Sequence, residues 1–237
     1  MSAQELRVLY EDNHVLAVEK PVNVPCQADV SGDTDLLTLG KAWIRQKYQK
    51  PGAVYLGLVH RLDRPVGGAM VFAKTSKAAA RLSEQIREKE TGKTYFAIVK
   101  GSAPKQMRLE DYLIKDARTN TSRVCGKNEG GKYAALAFEC MGCAQGLSLI
   151  KVKLETGRSH QIRVQMAHAG LPLWGDNRYG GGKPGQQIAL WCAQMQVSHP
   201  TKKTLLTVNC PPPQGFPWSL FEMPGWVYAQ SALEDGE

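Results

Sequence analysis

Cysteine is scarce in this chain, six in 237 residues, too few for a disulfide scaffold at this length. The opening residues show no basic region followed by an apolar core, and no apolar stretch approaches the ~20 residues that span a bilayer. Gly180-Gly181-Gly182-Lys183-Pro184-Gly185 lacks both the Walker spacing and a following Ser or Thr, so it is no phosphate cradle. There is no GxSxG elbow, no HExxH helix, no internal repeat and no Pro/Ser-rich linker. A soluble, cytosolic protein with reduced thiols is what these absences leave, expected as a monomer away from membranes. Acidic residues are themselves scarce in one region. Residues 41–127 hold nineteen basic and seven acidic side chains, whereas residues 1–40 hold two and seven. A solvated Lys/Arg helix face explains some of that excess but not all of it. The remainder points to a polyanionic partner, most often nucleic acid.

No metal site is expected. Cys140-x-x-Cys143 is a single pair without a second at zinc-finger spacing, and it sits at the end of an expected strand. His60, His160 and His168 lack the local spacing and flanking acid of a metal helix.

What is present centres on Gly57-Leu58-Val59-His60-Arg61-Leu62-Asp63-Arg64-Pro65-Val66-Gly67-Gly68. The apolar run Val54–Val59, a short turn and the run Ala69–Ala73 read as strand–loop–strand, with Asp63 on the loop. Arg61 and Arg64 flank it and favour the ionised carboxylate, suited to a nucleophile. A surface Asp–Arg pair of little worth fits the spacing equally well. One carboxylate cannot run two-acid glycoside hydrolysis. In a basic groove with an aromatic nearby, it suits covalent chemistry on a nucleotide taken out of its stack.

The rest of the chain reads as one mostly antiparallel α+β domain. A first hairpin spans Leu6–Tyr10 and His14–Lys20, and a helix capped by Asp33 or Thr34 runs to about Tyr48. A second helix starts at Thr75 or Ser76. Strands follow at residues 92–101, 109–115, 122–125, 133–140 and 147–154. Ser159 as N-cap and Gly170 as the closing glycine predict a helix of about three turns, with His160 and Arg163 on one face. Tyr179-Gly180-Gly181-Gly182 reads as a flexible loop, and two strands close the fold at Ile188–Val197 and Thr204–Val208. The core is expected over about residues 6–210, with 211–237 a surface arm.

Four ordered motifs resemble those of the RluA-type RNA pseudouridine synthases over nearly the whole chain. They are Tyr10-Glu11-Asp12 through Lys20-Pro21, His60–Gly68, Lys93–Gly101, and Thr156–Arg163 with Gly170–Asp176; His199-Pro200 matches a late element. The resemblance implies a mixed sheet with flanking helices and a central cleft. It also implies a reaction needing neither cofactor nor metal: isomerisation of uridines in ribosomal or transfer RNA to pseudouridine. By the same resemblance Asp63 is the catalytic aspartate and Arg61 helps displace the target nucleotide. Tyr95 stacks on the flipped uracil, and Arg163 is the basic residue that pairs with the carboxylate. Arg64 completes the basic flank. Arg158 and His160 either orient the helix start or touch RNA, and Lys20 either contacts a phosphate or caps the first hairpin. Gly67 stands where the family usually has Ser, and Gln165 where it usually has His. The small N-terminal RNA-binding module of several relatives is expected to be missing. The rival implied by the two departures is a catalytically silent RNA-binding protein of the same fold.

Overall fold

The computed structural model describes residues 6–233. Its chain divides into two compact units, Met1–Lys93 with Cys192–Pro211 and Pro224–Glu237, and Thr94–Trp191 with Pro212–Met223.

In the first unit β1 (Val8–Glu11) and β2 (Val15–Lys20) form the expected hairpin, and β2 pairs antiparallel with β4 (Gly67–Ala73). A short β3 (Gly57–Leu58) lies on the other side of β4, so the apolar run before the central loop contributes only two strand residues. β4 is buried along its whole length, as its unbroken apolar sequence demands. Gly68 is required there: its φ of +119° suits glycine, and an added Cβ would lie 2.3 Å from the Cys192 carbonyl oxygen. β10 (Leu190–Ser198), from Cys192 onward, pairs antiparallel with β11 (Leu205–Asn209), and β11 with β12 (Ala232–Leu233).

Two helices cover this unit. α1 (Leu36–Lys47) is capped by Asp35, not by Asp33 or Thr34; its carboxylate accepts from the Thr38 amide at 3.0 Å. α2 (Ser76–Arg87) is capped by Thr75, and Ala78 and Leu82 are its buried residues. The opening and late motifs are staples. Asp12 Oδ1 accepts from the His14 and Val15 amides at 2.8 Å, and its Oδ2 pairs with buried His199 Nε2 at 2.7 Å. The end of the chain is no free arm as far as residue 233. Val227 is fully buried, and β12 extends the sheet.

The second unit is an antiparallel sheet in the order β5 (Gly92–Lys100), β9 (Leu147–Leu154), β8 (Lys132–Ala144), β6 (Gln106–Asp116), β7 (Thr121–Cys125). β5 is counted here from Thr94, where this unit begins. α3 (Gln161–His168) packs on β6 and β7, where Val164 joins Leu113 and Ala134 in a small core edged by Val124 and Tyr179. α3 has eight residues instead of the expected three turns. Ser159 does not cap it: His160 takes the N-cap in a left-handed conformation, and the Gln161 side chain accepts from the Arg158 amide at 3.0 Å.

Candidate active site

Asp63 is half-buried on the loop between β3 and β4, and its carbonyl accepts from the Val66 amide at 2.9 Å. That bond closes a turn over Arg64 and Pro65. The backbone is clamped on both sides of it. Before Asp63, buried Cys26 Sγ donates to the Leu62 carbonyl at 3.2 Å and accepts from the Leu62 amide at 3.4 Å. After it, Lys20 Nζ donates to the carbonyls of Arg64 (2.9 Å), Val66 (2.7 Å) and Pro21 (3.0 Å). Arg64 turns to the 23–33 loop, where its Nε donates to the Asn23 carbonyl at 3.1 Å and its guanidinium pairs with Asp29 and Asp33. Arg61 is exposed. The two arginines that flank Asp63 in sequence therefore differ in surroundings: one braces a loop and one faces solvent. A carboxylate presented on so constrained a loop is pre-organised for chemistry.

Lys20 has no exposed surface, and its three donor sites meet three carbonyls. Of the two roles open to it in sequence, this geometry fits holding the loop. Burial pushes its ammonium down from 10.5 to about 8; the Cys26 thiol and the Asp63 carboxylate oppose the fall. Between pH 8 and 10.5 the unfolded chain then binds more protons at Lys20 than the folded chain, so stability rises with pH across that window. We expect the wild type to gain up to about 3 kcal/mol on Lys20→Met from pH 7.5 to 10.5. Parallel urea titrations that show a constant or shrinking gap would refute this burial effect.

His60 is buried and neutral, held well below its usual range by burial and then by the Lys93 charge. Its Nε2 accepts from the Val71 amide at 3.0 Å, which ties the motif histidine to β4.

In the second unit, Arg163 and Asp176 form a buried two-point pair: Nε to Oδ2 and Nη2 to Oδ1, each 2.8 Å. Burial raises the Asp176 carboxyl, but the Arg163 bonds and the Arg178 and Tyr179 amides hold it below the usual carboxylate range. The Tyr179 ring lies 5.1 Å from the Arg163 guanidinium carbon. The Tyr179 hydroxyl accepts from the Ser122 amide at 2.8 Å and meets His160 Nδ1 at 2.7 Å. His160 and Arg163 thus share a face, as their spacing predicts, and converge on one tyrosine. His160 does so at φ +56°, a strained conformation for a side chain that these bonds fix in place. Arg158 is exposed, its Nε donating to the Tyr133 carbonyl at 2.9 Å. Tyr95 is buried on β5 opposite Val152.

Three residues central to these clusters were not singled out from sequence: Cys26, Asp176 and Tyr179. Asp176 closes a quoted motif, and that was its only signal. The supposed flexible loop after Tyr179 is packed. The Gly180 and Gly182 amides donate to the Asp176 carbonyl at 2.9 and 3.0 Å, and an added Cβ on Gly180 would lie 2.8 Å from the Leu173 carbonyl oxygen.

Comparison with known proteins bears on the family and the fold. Residues 14–168 match the family described as RNA pseudouridylate synthase. The chain is 37% identical over 214 residues to an uncharacterized RNA pseudouridine synthase, YhcT, of Bacillus subtilis, covering 88% of this chain and 69% of the relative. It is 30% identical over 219 residues to the ribosomal large subunit pseudouridine synthase C of Escherichia coli, covering 88% of this chain and 67% of that one. Against the protein of that name in Buchnera aphidicola (Schizaphis graminum) it is 36% identical over 174 residues, covering 73% of this chain and spanning only 54% of the relative's length. The fold matches the human RNA pseudouridylate synthase domain containing 4 with a TM-score of 0.77 at 19% identity, over 92% of this chain and 95% of that one. The motif order, the α+β fold and these matches together make the chain a member of the RNA pseudouridylate synthase family, of the RluA type.

Proposed function

We propose that this protein isomerises specific uridines in RNA to pseudouridine, with Asp63 attacking a nucleotide displaced from its stack. The observation that carries the reading is the family match across residues 14–168, with Asp63 on a loop clamped by Cys26 and Lys20. The reaction breaks the N1–C1′ bond, rotates the uracil and forms C5–C1′; the C5 proton is lost and N1 gains one, so the sum is an isomerisation. Asp63 supplies the electron pair or stabilises the developing positive charge at C1′. Arg61, exposed beside it, suits the displacement of the nucleotide. Tyr95 is assigned to the uracil face, and Arg163, held rigid by Asp176 and Tyr179, to charge stabilisation. Arg158 is assigned to the RNA backbone; His160 acts through Tyr179, and Arg64 and Lys20 through the loop they brace. No cofactor is called for. A cytoplasmic monomer acting on ribosomal or transfer RNA is the working form, and the names of the Escherichia coli and Buchnera relatives favour ribosomal RNA.

The direct test is pseudouridine mapping on total RNA from cells with and without this chain. One or a few uridines should lose the mark, and the wild type should restore it. An unchanged map with RNA binding intact would leave a silent binder. RNA affinity should also fall steeply with salt, because the basic segment 41–127 acts by releasing counterions from phosphates. With about four phosphates neutralised on a single strand, a fourfold rise in salt costs roughly 50-fold in affinity. A flat dependence in filter binding would exclude that segment as the docking surface.

A further inference from the structure

We propose that Cys140 and Cys143 are an oxidisable dithiol, a modification site that closes to a strained intrachain disulfide under peroxide. In a regular strand, residues three apart point to opposite faces. Here they do not. Cys140 pairs with Ile150, Gly142 with Leu149 and Cys143 with Ser148, so Met141 is the extra residue of a β-bulge. Their partners are two residues apart, which puts both cysteines on one face of β8. The two sulfurs lie 3.8 Å apart in thiol–thiol contact. Cys143 is exposed and Cys140 partly so, whereas Cys26, Cys192 and Cys210 are buried.

Oxidation fits this pair better than zinc. Among the described residues no group of three or more His, Cys, Asp and Glu could hold a metal, and a structural zinc needs four ligands. Same-face neighbours on a strand have Cα atoms roughly 6.5 Å apart, near the upper limit for a disulfide. The bridge should therefore form with strain and reduce readily. In the first step the Cys143 thiolate attacks one peroxide oxygen, giving a sulfenic acid and water. The Cys140 sulfur then displaces the sulfenic oxygen as a second water. Two thiols lose two protons and two electrons, and one hydrogen peroxide is reduced to two waters. Closing the bridge draws Cys143 Sγ off Ser148 Oγ, now 3.2 Å away; that hydroxyl also donates to the Gly101 carbonyl at 2.7 Å and accepts from the Ala103 amide at 3.0 Å.

The test uses the whole protein, reduced, treated with hydrogen peroxide, alkylated and digested with trypsin. The peptide Tyr133–Lys151 contains these two cysteines and no others. It should appear unalkylated and two hydrogens lighter before the buried cysteines react, and excess reduced glutathione should restore both thiols. In Cys140→Ser, oxidation should stop at a Cys143 sulfenic acid that a 1,3-dione probe traps. Over-oxidation of single thiols without a crosslink in the wild type, intermolecular dimers through this peptide, or a bridge that glutathione leaves intact would each overturn the proposal.

Discussion

Asp63→Asn is expected to abolish turnover, lowering single-turnover pseudouridine formation by at least about 10³-fold while RNA affinity stays within a few-fold. The substitution keeps side-chain shape and removes only the charge. The clamps on the loop act on main-chain atoms: Cys26 on Leu62, Lys20 on Arg64 and Val66, and the Val66 amide on the Asp63 carbonyl. None of these bonds is made by the carboxylate itself, so the backbone of the loop should keep its form. A neutral amide, however, neither attacks C1′ nor balances positive charge forming there. The measurement is single-turnover conversion of RNA from cells lacking the chain, with filter binding on the same RNA. Activity within tenfold of the wild type would remove Asp63 as the nucleophile. Lost affinity would mean that the side chain holds RNA instead.

Asp176→Asn should cause the largest fall in stability of any single polar substitution in the second unit, about 3–5 kcal/mol, with turnover falling alongside it. The Asp176 side chain is 1% exposed and that of Arg163 7%, so the amide removes the charge from one side of a buried two-point ion pair. The Arg178 and Tyr179 amides also lose a charged acceptor. At this chain length the melting temperature should drop by roughly 10 °C. Tyr179→Phe is the contrast: the ring stays beside Arg163, and only the hydroxyl bonds to Ser122 and His160 are lost, about 1–2 kcal/mol. Melting curves in which Asp176→Asn costs no more than Tyr179→Phe would show that the ion pair is not the anchor of Arg163.

Much of this architecture is legible without coordinates. Period-two apolar patterns and Gly-bounded turns located the strands to within a few residues, because alternation follows directly from the pleat and from burial of a face. Thr75 or Ser76 as cap and the spacing of Ala79, Leu82 and Ile86 announced α2 for the same local reasons, although the structure buries Ala78 with Leu82 and leaves Ala79 and Ile86 half-buried. The misses share one cause. The α3 start is set by His160 in a left-handed turn and by Gln161 reaching the Ala135 carbonyl at 3.0 Å, a partner 26 residues away. The C-terminal residues look like an arm in composition, yet Val227 finds the core and Ala232–Leu233 finds β11.

The sequence by itself determined the α+β element order, the ordered motifs that mark the family, and the carboxylate and arginines proposed to carry its chemistry. These depend on residue type and short spacing. Only the tertiary structure decided what the polar residues between them do. It turned Lys20 onto carbonyls 44 and 46 residues away, set Cys26 against Leu62, aimed Arg64 at the 23–33 loop, and locked Arg163 to Asp176. The bulge at Met141 likewise brought two thiols to one face against their spacing. Hydrogen bonds, ion pairs and bulges of this kind are chosen by which distant backbone groups folding leaves buried and in need of a partner, and no local pattern encodes that.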